Sequence, residues 1–244
     1  MWRLVIISFL ITFCVVESKA QVITDFEAAG ALEGYNRISS PGEGMSEFNA
    51  GTELGSDPAF ALRLRLGYRI ACRHDIFFTY APLQQRYSGT FDESFSLNGN
   101  VFQANTGTAL TYTLNNYRAT YRYFFLLGDR VQAAAGISGN VMDKAIFLRQ
   151  GDMGTQQTEL DITPLVHFHA EARLFNRLGI LVEGDGIYTD NGRFLDYQVA
   201  LPYAVSPHVT ARIGYRMMHT ETGINGTDNS VLFHYGLFGA SFNF

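Results

Sequence analysis

The segment FALRLRLGYR, residues 60–69, alternates between two kinds of side chain at every step. Phenylalanine, leucine and tyrosine take the even positions, while Arg63, Arg65 and Arg69 share the odd positions with small residues. Side chains two apart lie on one face of a β-strand, so this period predicts a strand with an apolar face and an arginine face. A soluble β-sandwich or lipocalin-like barrel would bury the apolar face, whereas a membrane barrel would turn it towards lipid.

The same alternation returns in later segments, most clearly at 162–173, 195–203 and 209–217. Their polar face carries arginine mixed with glycine, alanine and tyrosine, and the whole chain has 16 arginines but only 2 lysines. A sheet that faces water would normally use lysine and glutamate freely. The repeated pattern therefore favours a membrane barrel with its arginines in a confined lumen.

Residues 1–20 have the layout of a secretory signal peptide. Arg3 precedes an apolar run at 4–16, and Ala20 ends a site that suits cleavage before Gln21. The run is shorter than the roughly 20 apolar residues that a transmembrane helix needs. We therefore expect the mature protein to be one domain, 21–244, without a transmembrane helix.

The composition argues against several other classes of protein. The chain has 244 residues, of which 47% are hydrophobic, so it is not a disordered protein. Its two cysteines, Cys14 and Cys72, cannot form a disulfide framework or a multi-cysteine zinc site. A net charge of −5 without a basic run gives no footprint for nucleic acid.

The connections between the predicted strands alternate in length. Short ones fall near 71–74, 128–130, 176–177 and 206–208, and longer polar ones fall at 39–58, 92–109, 151–157, 190–193 and 222–230. Outer-membrane barrels have short periplasmic turns and longer outer loops, which predicts that both termini are periplasmic. The breaks give ten strands, at 22–38, 59–70, 75–91, 110–127, 131–150, 158–175, 179–189, 194–205, 209–221 and 231–244.

The chain ends in FGASFNF, residues 238–244, with a C-terminal phenylalanine and apolar residues at alternate positions. In this feature it resembles bacterial outer-membrane β-barrel proteins. The resemblance implies an all-β, transmembrane, antiparallel up-and-down barrel in the outer membrane, in contact with its lipid. It also implies that the barrel assembly machinery reads the last strand through Phe242 and Phe244.

One segment departs from the regular alternation near the end of the chain. Phe233, Tyr235 and Leu237 lie out of phase with the apolar positions that follow them. We therefore expect a β-bulge near Gly236 or Gly239.

With the apolar face outward, a set of charged residues points into the lumen, and we expect its members to pair because isolated buried charges are costly. Ten strands enclose a lumen between the filled interior of an eight-stranded barrel and the channel of a large porin. A ladder of arginines and carboxylates would largely plug it. The predicted charge network consists of Arg63, Arg65, Arg69, Arg118, Arg122, Glu171, Arg173, Glu183, Asp185, Asp196, Arg212 and Arg216, and Glu27 and Glu33 also point inward.

His167 and His169 share the lumen face with Glu171. An odd-length turn around 176–177 would place His169 opposite Glu183 and His167 opposite Asp185. These residue types suit a zinc ion or a pH-dependent switch, but a hydrogen-bonded plug is the simpler interpretation. We expect no metal and no cofactor.

The sequence leaves the activity open between several classes. The leading hypothesis is a mostly occluded barrel that acts as a narrow pore for small solutes or ions, or as a structural and surface-interaction protein. A second hypothesis is adhesion or ligand binding through the long loops at 39–58 and 92–109.

A third hypothesis is a hydrolase at the outer rim, acting on lipid A or peptides, although we expect no catalysis. His219 and Glu221 share a strand face, but the chain lacks the paired Asp-x-Asp and His-with-Asp arrangement of the omptin proteases. The remaining acidic rim candidates are Asp92, Glu93, Asp152, Asp161 and Asp190.

Overall fold

The computed structural model describes residues 21–40, 46–97, 99–189, 192–224 and 227–244, and in these it is almost entirely β-structure. Among these residues, no helix combines the length and the apolar character that a membrane span needs. In chain order the elements are β1 (Gln21–Ser40), β2 (Ser46–Asn49), α1 (Ala50–Glu53), β3 (Leu54–Ser56), β4 (Ala59–Ile70), β5 (His74–Gly89), β6 (Phe95–Leu97), β7 (Asn100–Phe102), β8 (Thr108–Leu127), β9 (Val131–Gln150), β10 (Met153–Arg173), β11 (Gly179–Thr189), β12 (Gly192–Ala204), β13 (Val209–Ile224) and β14 (Thr227–Asn243).

Ten of these strands form one closed antiparallel sheet, namely β1, β4, β5 and β8 to β14. Each of the ten pairs with the next of the ten along the chain. The last, β14, pairs with β1, from Ile23 opposite Asn243 to Ser39 opposite Asp228. Closure leaves no unpaired strand edge, which is the condition for a sheet to cross a membrane. The predicted ten-stranded up-and-down barrel is confirmed.

The two ends of the barrel differ. Short connections at 71–73, 128–130, 174–178 and 205–208 lie at the same end as Gln21 and Phe244, and we call this the turn end. Residues 46–58 and the described part of 90–107 lie at the opposite end, which we call the loop end. The prediction of long loops at 151–157 and 222–230 is wrong, because β10 already begins at Met153 and β13 continues to Ile224. Strand pairing uses the backbone, so these polar residues extend the sheet.

The bulge lies elsewhere than predicted. β13 and β14 keep one register from Val209 opposite Phe242 to Ile224 opposite Thr227, without a bulge at Gly236 or Gly239. The irregularity is in β1, between Glu33 and Tyr35. β14 needs no change of phase, because Phe233, Tyr235 and Leu237 face an apolar part of the lumen and are buried there.

The outer surface of the barrel is apolar around its middle. Phe26, Leu66, Ile137, Val166 and Ile213 are each more than half exposed, although they are large hydrophobic side chains on regular strands. A closed sheet with such a belt matches the lipid-facing surface of a transmembrane barrel. Tyrosines lie close to the turn end of this belt, at Tyr68, Tyr123 and Tyr203, where phenol rings suit the boundary of lipid and water.

The lumen has two parts of different chemistry. From the middle to the turn end its side chains are charged or polar, and we call this part the ion-pair layer. Towards the loop end they form an apolar cluster, the apolar layer, which also includes side chains from 46–58 and 90–107. The strands therefore bury two stacked layers inside the barrel.

Candidate functional site

The predicted charge network falls largely within the ion-pair layer. Most of its members are buried, Arg65, Arg69 and Glu171 are partly exposed, and Arg173 is exposed at the turn end of β10. The buried members are Arg63, Arg118, Arg122, Glu183, Asp185, Asp196, Arg212 and Arg216.

One chain of ion pairs crosses the middle of the barrel. Arg118 donates to Asp185 over 2.6 Å and to Asp196 over 2.8 Å, and Arg216 Nε donates to Asp196 over 2.6 Å. Glu27 accepts from Arg63 over 2.5 Å and from Arg212 over 3.0 Å. Asp196 thus joins two arginines. Glu27 joins three, since it also pairs with Arg216 over 3.5 Å, and these contacts offset the cost of burying each charge.

A second chain of ion pairs lies nearer the turn end. Asp75 accepts two hydrogen bonds from Arg69, over 2.7 and 2.9 Å, and pairs with Arg122 over 2.9 Å. Glu183 pairs with Arg122 over 3.0 Å and with Arg65 over 2.7 Å. The planar guanidinium groups make this branching possible, since each presents several donors in fixed directions.

Two members of the predicted network stand apart from these chains. Glu171 and Arg173 form no ion pair with another described residue, and they line a cavity at the turn end instead. Both lie near the end of β10, where the lumen opens.

Two acidic members of the layer were missed by the sequence analysis. Asp25 pairs with Arg212, and Asp75 joins Arg69 to Arg122. Asp25 is two residues from Glu27, so the alternation assigns it to the lumen face. Asp75 is the second residue of β5, directly after a turn. The alternating pattern of the preceding strand does not carry across the turn, so it does not predict which face of β5 Asp75 takes.

The histidines take the positions that the predicted register gives them. His169 lies opposite Glu183 and His167 opposite Asp185, with Nδ1 to carboxylate oxygen distances of 3.0 and 3.1 Å. His169 Nδ1 also lies 3.0 Å from Arg122 Nη1. Among the residues that the structure describes, no group of three or more His, Cys, Asp or Glu side chains is arranged to hold a metal ion. The pair instead belongs to the ion-pair layer.

The apolar layer fills the lumen towards the loop end. Barrel residues such as Tyr112, Leu114 and Phe233 are fully buried there. From the loop segments, Phe91 packs on Phe95 with ring centroids 4.6 Å apart, and further aromatic contacts join Phe95 to Phe102 at 5.2 Å and Phe48 to Phe91 at 5.0 Å. The described parts of the two long connections therefore fold onto the mouth of the barrel.

A few polar groups cross the apolar layer. Tyr112 donates to Asn229 over 3.0 Å, Asn36 donates to Tyr87 over 2.9 Å, and the Tyr87 hydroxyl donates to Glu33. Such bonds satisfy groups that would be costly to bury alone. Glu33 thus lies inward as predicted, but in the apolar layer.

The rim residues proposed for catalysis do not converge. His219 Nε2 lies 2.7 Å from the Tyr35 hydroxyl, and Glu221 pairs with Arg193 over 2.7 Å. Asp161 pairs with the buried Lys144. Three others are exposed on loops or turns, at Asp92, Glu93 and Asp152, and Asp190 lies outside the described residues.

Of the proposed assembly residues, Phe242 lies in β14 and Phe244 directly follows this strand, both at the turn end. Phe242 packs edge-on against Phe26 with centroids 6.2 Å apart. Phe244 is 73% exposed, and its backbone exchanges hydrogen bonds with Val22.

Two cavities border the ion-pair layer. One, of about 10 Å³, lies between the two chains of ion pairs and is lined by residues that include Arg63, Arg65 and His167. Such a volume holds about one water molecule. The other, of about 510 Å³, opens at the turn end.

No protein-family model and no curated protein matches the sequence. Among solved structures, the outer membrane protease OmpT from Escherichia coli matches with a TM-score of 0.59 and 9% identity, over 95% of this chain and 99% of that one. The translocator domain of the autotransporter NalP from Neisseria meningitidis matches with a TM-score of 0.45 and 11% identity, over 97% and 92%. Ail, the attachment invasion locus protein of Yersinia pestis, matches with a TM-score of 0.41 and 8% identity, over 94% and 100%.

The likeness to OmpT extends to the fold alone. It agrees with the closed sheet, the apolar outer belt and the polar lumen, which together are the physical signature of a transmembrane barrel. The chain therefore has the fold of the bacterial outer-membrane β-barrels.

Proposed function

We propose that this protein is a closed, non-conducting barrel in the outer membrane of a Gram-negative bacterium, with a structural or surface-interaction role. The observation that carries the proposal is that side chains fill the lumen in two successive layers. A pore would need a continuous water path, and each layer blocks that path by a different kind of contact.

The ion-pair layer blocks the lumen by bonds between opposite walls. Arg65 on β4 pairs with Glu183 on β11, five strands away around a ring of ten. Arg118 on β8 pairs with Asp196 on β12, four strands away. An ion passing between these walls would have to separate buried, hydrogen-bonded charges, which is energetically costly.

The apolar layer blocks the lumen on the loop side. Its aromatic side chains come from both the wall and the loop segments, and Phe102, Phe194 and Phe233 are at most 1% exposed. A dry, packed layer offers a hydrated ion no replacement for its water. The closed mouth leaves polar loop residues such as Glu47, Glu53 and Asp57 on the surface, where they are exposed to contact with partners.

The turn end then faces the periplasm and the loop end faces the medium, as short turns and longer loops do in this class of barrel. Outer-membrane lipid would cover the apolar belt. The last strand, with Phe242 and Phe244, would be read by the barrel assembly machinery.

Closure can be tested by liposome swelling with the purified protein. Liposomes that contain the folded barrel should swell in a small sugar such as arabinose no faster than protein-free liposomes. An open porin reconstituted at the same protein-to-lipid ratio provides the positive control. Swelling that increases with the amount of folded barrel would contradict the proposal.

Orientation can be tested with two epitope insertions, one after Asn105 at the loop end and one after Asp129 at the turn end. Antibody should label the first on intact cells and the second only after the outer membrane is permeabilised. The reverse pattern would contradict the proposed orientation.

A further inference from the structure

The cavity at the turn end has the size and depth of a binding site. Its volume of about 510 Å³ lies within the range of roughly 300–1,000 Å³ that is usual for small-ligand pockets. It enters the barrel between the turns at 174–178 and 205–208, and it ends against Arg65, Arg122 and Glu183 of the ion-pair layer. It is thus a pocket with a floor.

The lining of this cavity is rich in positive charge. Six arginines line it, against three carboxylates. Four of the arginines lie in the wall and floor and are already paired, whereas Arg173 and Arg177 make no ion pair with any carboxylate in the described part of the chain. The carboxylate nearest the mouth, Glu171, is also without an ion pair and would repel an anion. The two unpaired arginines outnumber this one carboxylate, so the mouth keeps an excess of positive charge that would attract an anion.

Beside the floor, the described part of the protein leaves one buried donor unpaired. Arg65 pairs with Glu183 through Nη2, but its buried Nε has no hydrogen-bond partner among the described residues. Neutral donors and acceptors also line the walls, including Thr210, Ser241 and Asn243. Guanidinium groups bind carboxylate and phosphate oxygens in a planar, two-point geometry, which suits this lining to acidic oxygens.

We propose that the turn-end cavity binds a small organic anion that carries two or more carboxylate or phosphate groups. The anion enters from the turn end, meets Arg173 and Arg177 at the mouth and stops at the ion-pair layer. This inference goes beyond the proposed function, because it assigns a ligand site to a barrel that does not transport.

The test is calorimetric titration of the detergent-purified protein at low ionic strength, with citrate as one probe and inorganic pyrophosphate as the other. At least one of them should bind in a saturable, one-to-one manner. Preference for citrate would assign carboxylate groups to the natural ligand, and preference for pyrophosphate would assign phosphate groups.

Two variants remove charges from the mouth, Arg173→Gln and Arg177→Gln. Neither residue supports an ion pair, so the barrel should fold, and each change should weaken binding by about fivefold to tenfold, as expected for the loss of a charge-assisted contact. Arg130→Gln provides the matched control, because Arg130 is exposed at the same end but does not line the cavity. Its affinity should stay unchanged.

Two results would overturn the proposal. One is the absence of saturable binding for both probes in folded protein. The other is an equal loss of affinity in Arg130→Gln, which would show attraction to the general charge of the turn end. The titration needs no membrane, so it is independent of whether the barrel conducts.

Discussion

At Gly136, a hydrogen atom in place of a methyl group lets β9 lie close against β8. A Cβ atom at this position would lie 1.9 Å from the Tyr121 carbonyl oxygen and 2.8 Å from the Arg122 Cα. These are backbone atoms and cannot move aside cheaply. Gly139, three residues further on, has nothing within 4 Å of the same position.

We therefore expect Gly136→Ala to lower the free energy of unfolding by about 1–3 kcal/mol, the usual cost of overpacking. Gly139→Ala should change it much less. Urea unfolding, followed by the gel mobility shift between folded and unfolded barrel, measures both. Equal stability of the two variants would contradict the close approach at Gly136.

Arg118 tests the energetic role of the ion-pair layer. Replacing it with Met removes a partner from Asp185 and from Asp196, although each carboxylate keeps another hydrogen bond. We expect a loss of about 3 kcal/mol, the lower end of the cost of breaking a buried pair. Arg193→Met, which breaks the exposed pair with Glu221, should cost less than about 1 kcal/mol in the same urea assay. Similar losses in the two variants would show that burial adds little.

At the scale of elements, the hairpin of β6 and β7 is held to the barrel by aromatic packing. In β7 the side chain of Phe102 is fully buried, whereas that of its neighbour Val101 is 53% exposed. Phe102→Ala should release the hairpin, because a buried aromatic residue contributes several kcal/mol to packing. A protease should then cut within 90–107 while the barrel keeps its folded gel mobility. Val101→Ala should stay resistant, and cleavage in that control to the same extent would contradict the packing.

The strands show how far periodicity predicts structure. In β8, Arg118 and Arg122 point inward and Tyr117 points outward, as the alternation predicts. Towards the loop end of the same strand the apolar residues are on the inward face, since Leu110 and Tyr112 point into the lumen. Periodicity fixes which residues share a face, but the medium on each side decides which face is apolar. Where the strands extend beyond the lipid, their outer face meets water, so apolar side chains are buried in the lumen.

The same burial of apolar side chains in the lumen explains the misplaced bulge. A bulge was expected because Phe233, Tyr235 and Leu237 would otherwise not share the outward face with the apolar residues that follow them in β14. In the structure they face the apolar layer. A strand that continues above the membrane follows the rule of a soluble barrel, in which the core is apolar.

At the scale of the whole molecule, strand number, closure and the common end of the short turns were predictable from the sequence. These follow from local patterns repeated along the chain. The apolar layer was not predictable from the sequence, because it depends on loop segments that fold back across the mouth of the barrel. Aromatic residues within the polar stretch near Phe95 were the available signal, and their partners lie on distant strands. The pairing of Arg65 with Glu183 depends in the same way on closure of the ring.

The central claim is that the two layers together close the barrel. Single-channel recording in a planar bilayer tests it most directly, with the gel mobility shift confirming that the reconstituted protein is folded. We predict no discrete conductance steps over the background of the bare bilayer, since both layers would have to open together. Reproducible openings from verified folded protein would contradict the claim and would mean that water passes between the paired arginines.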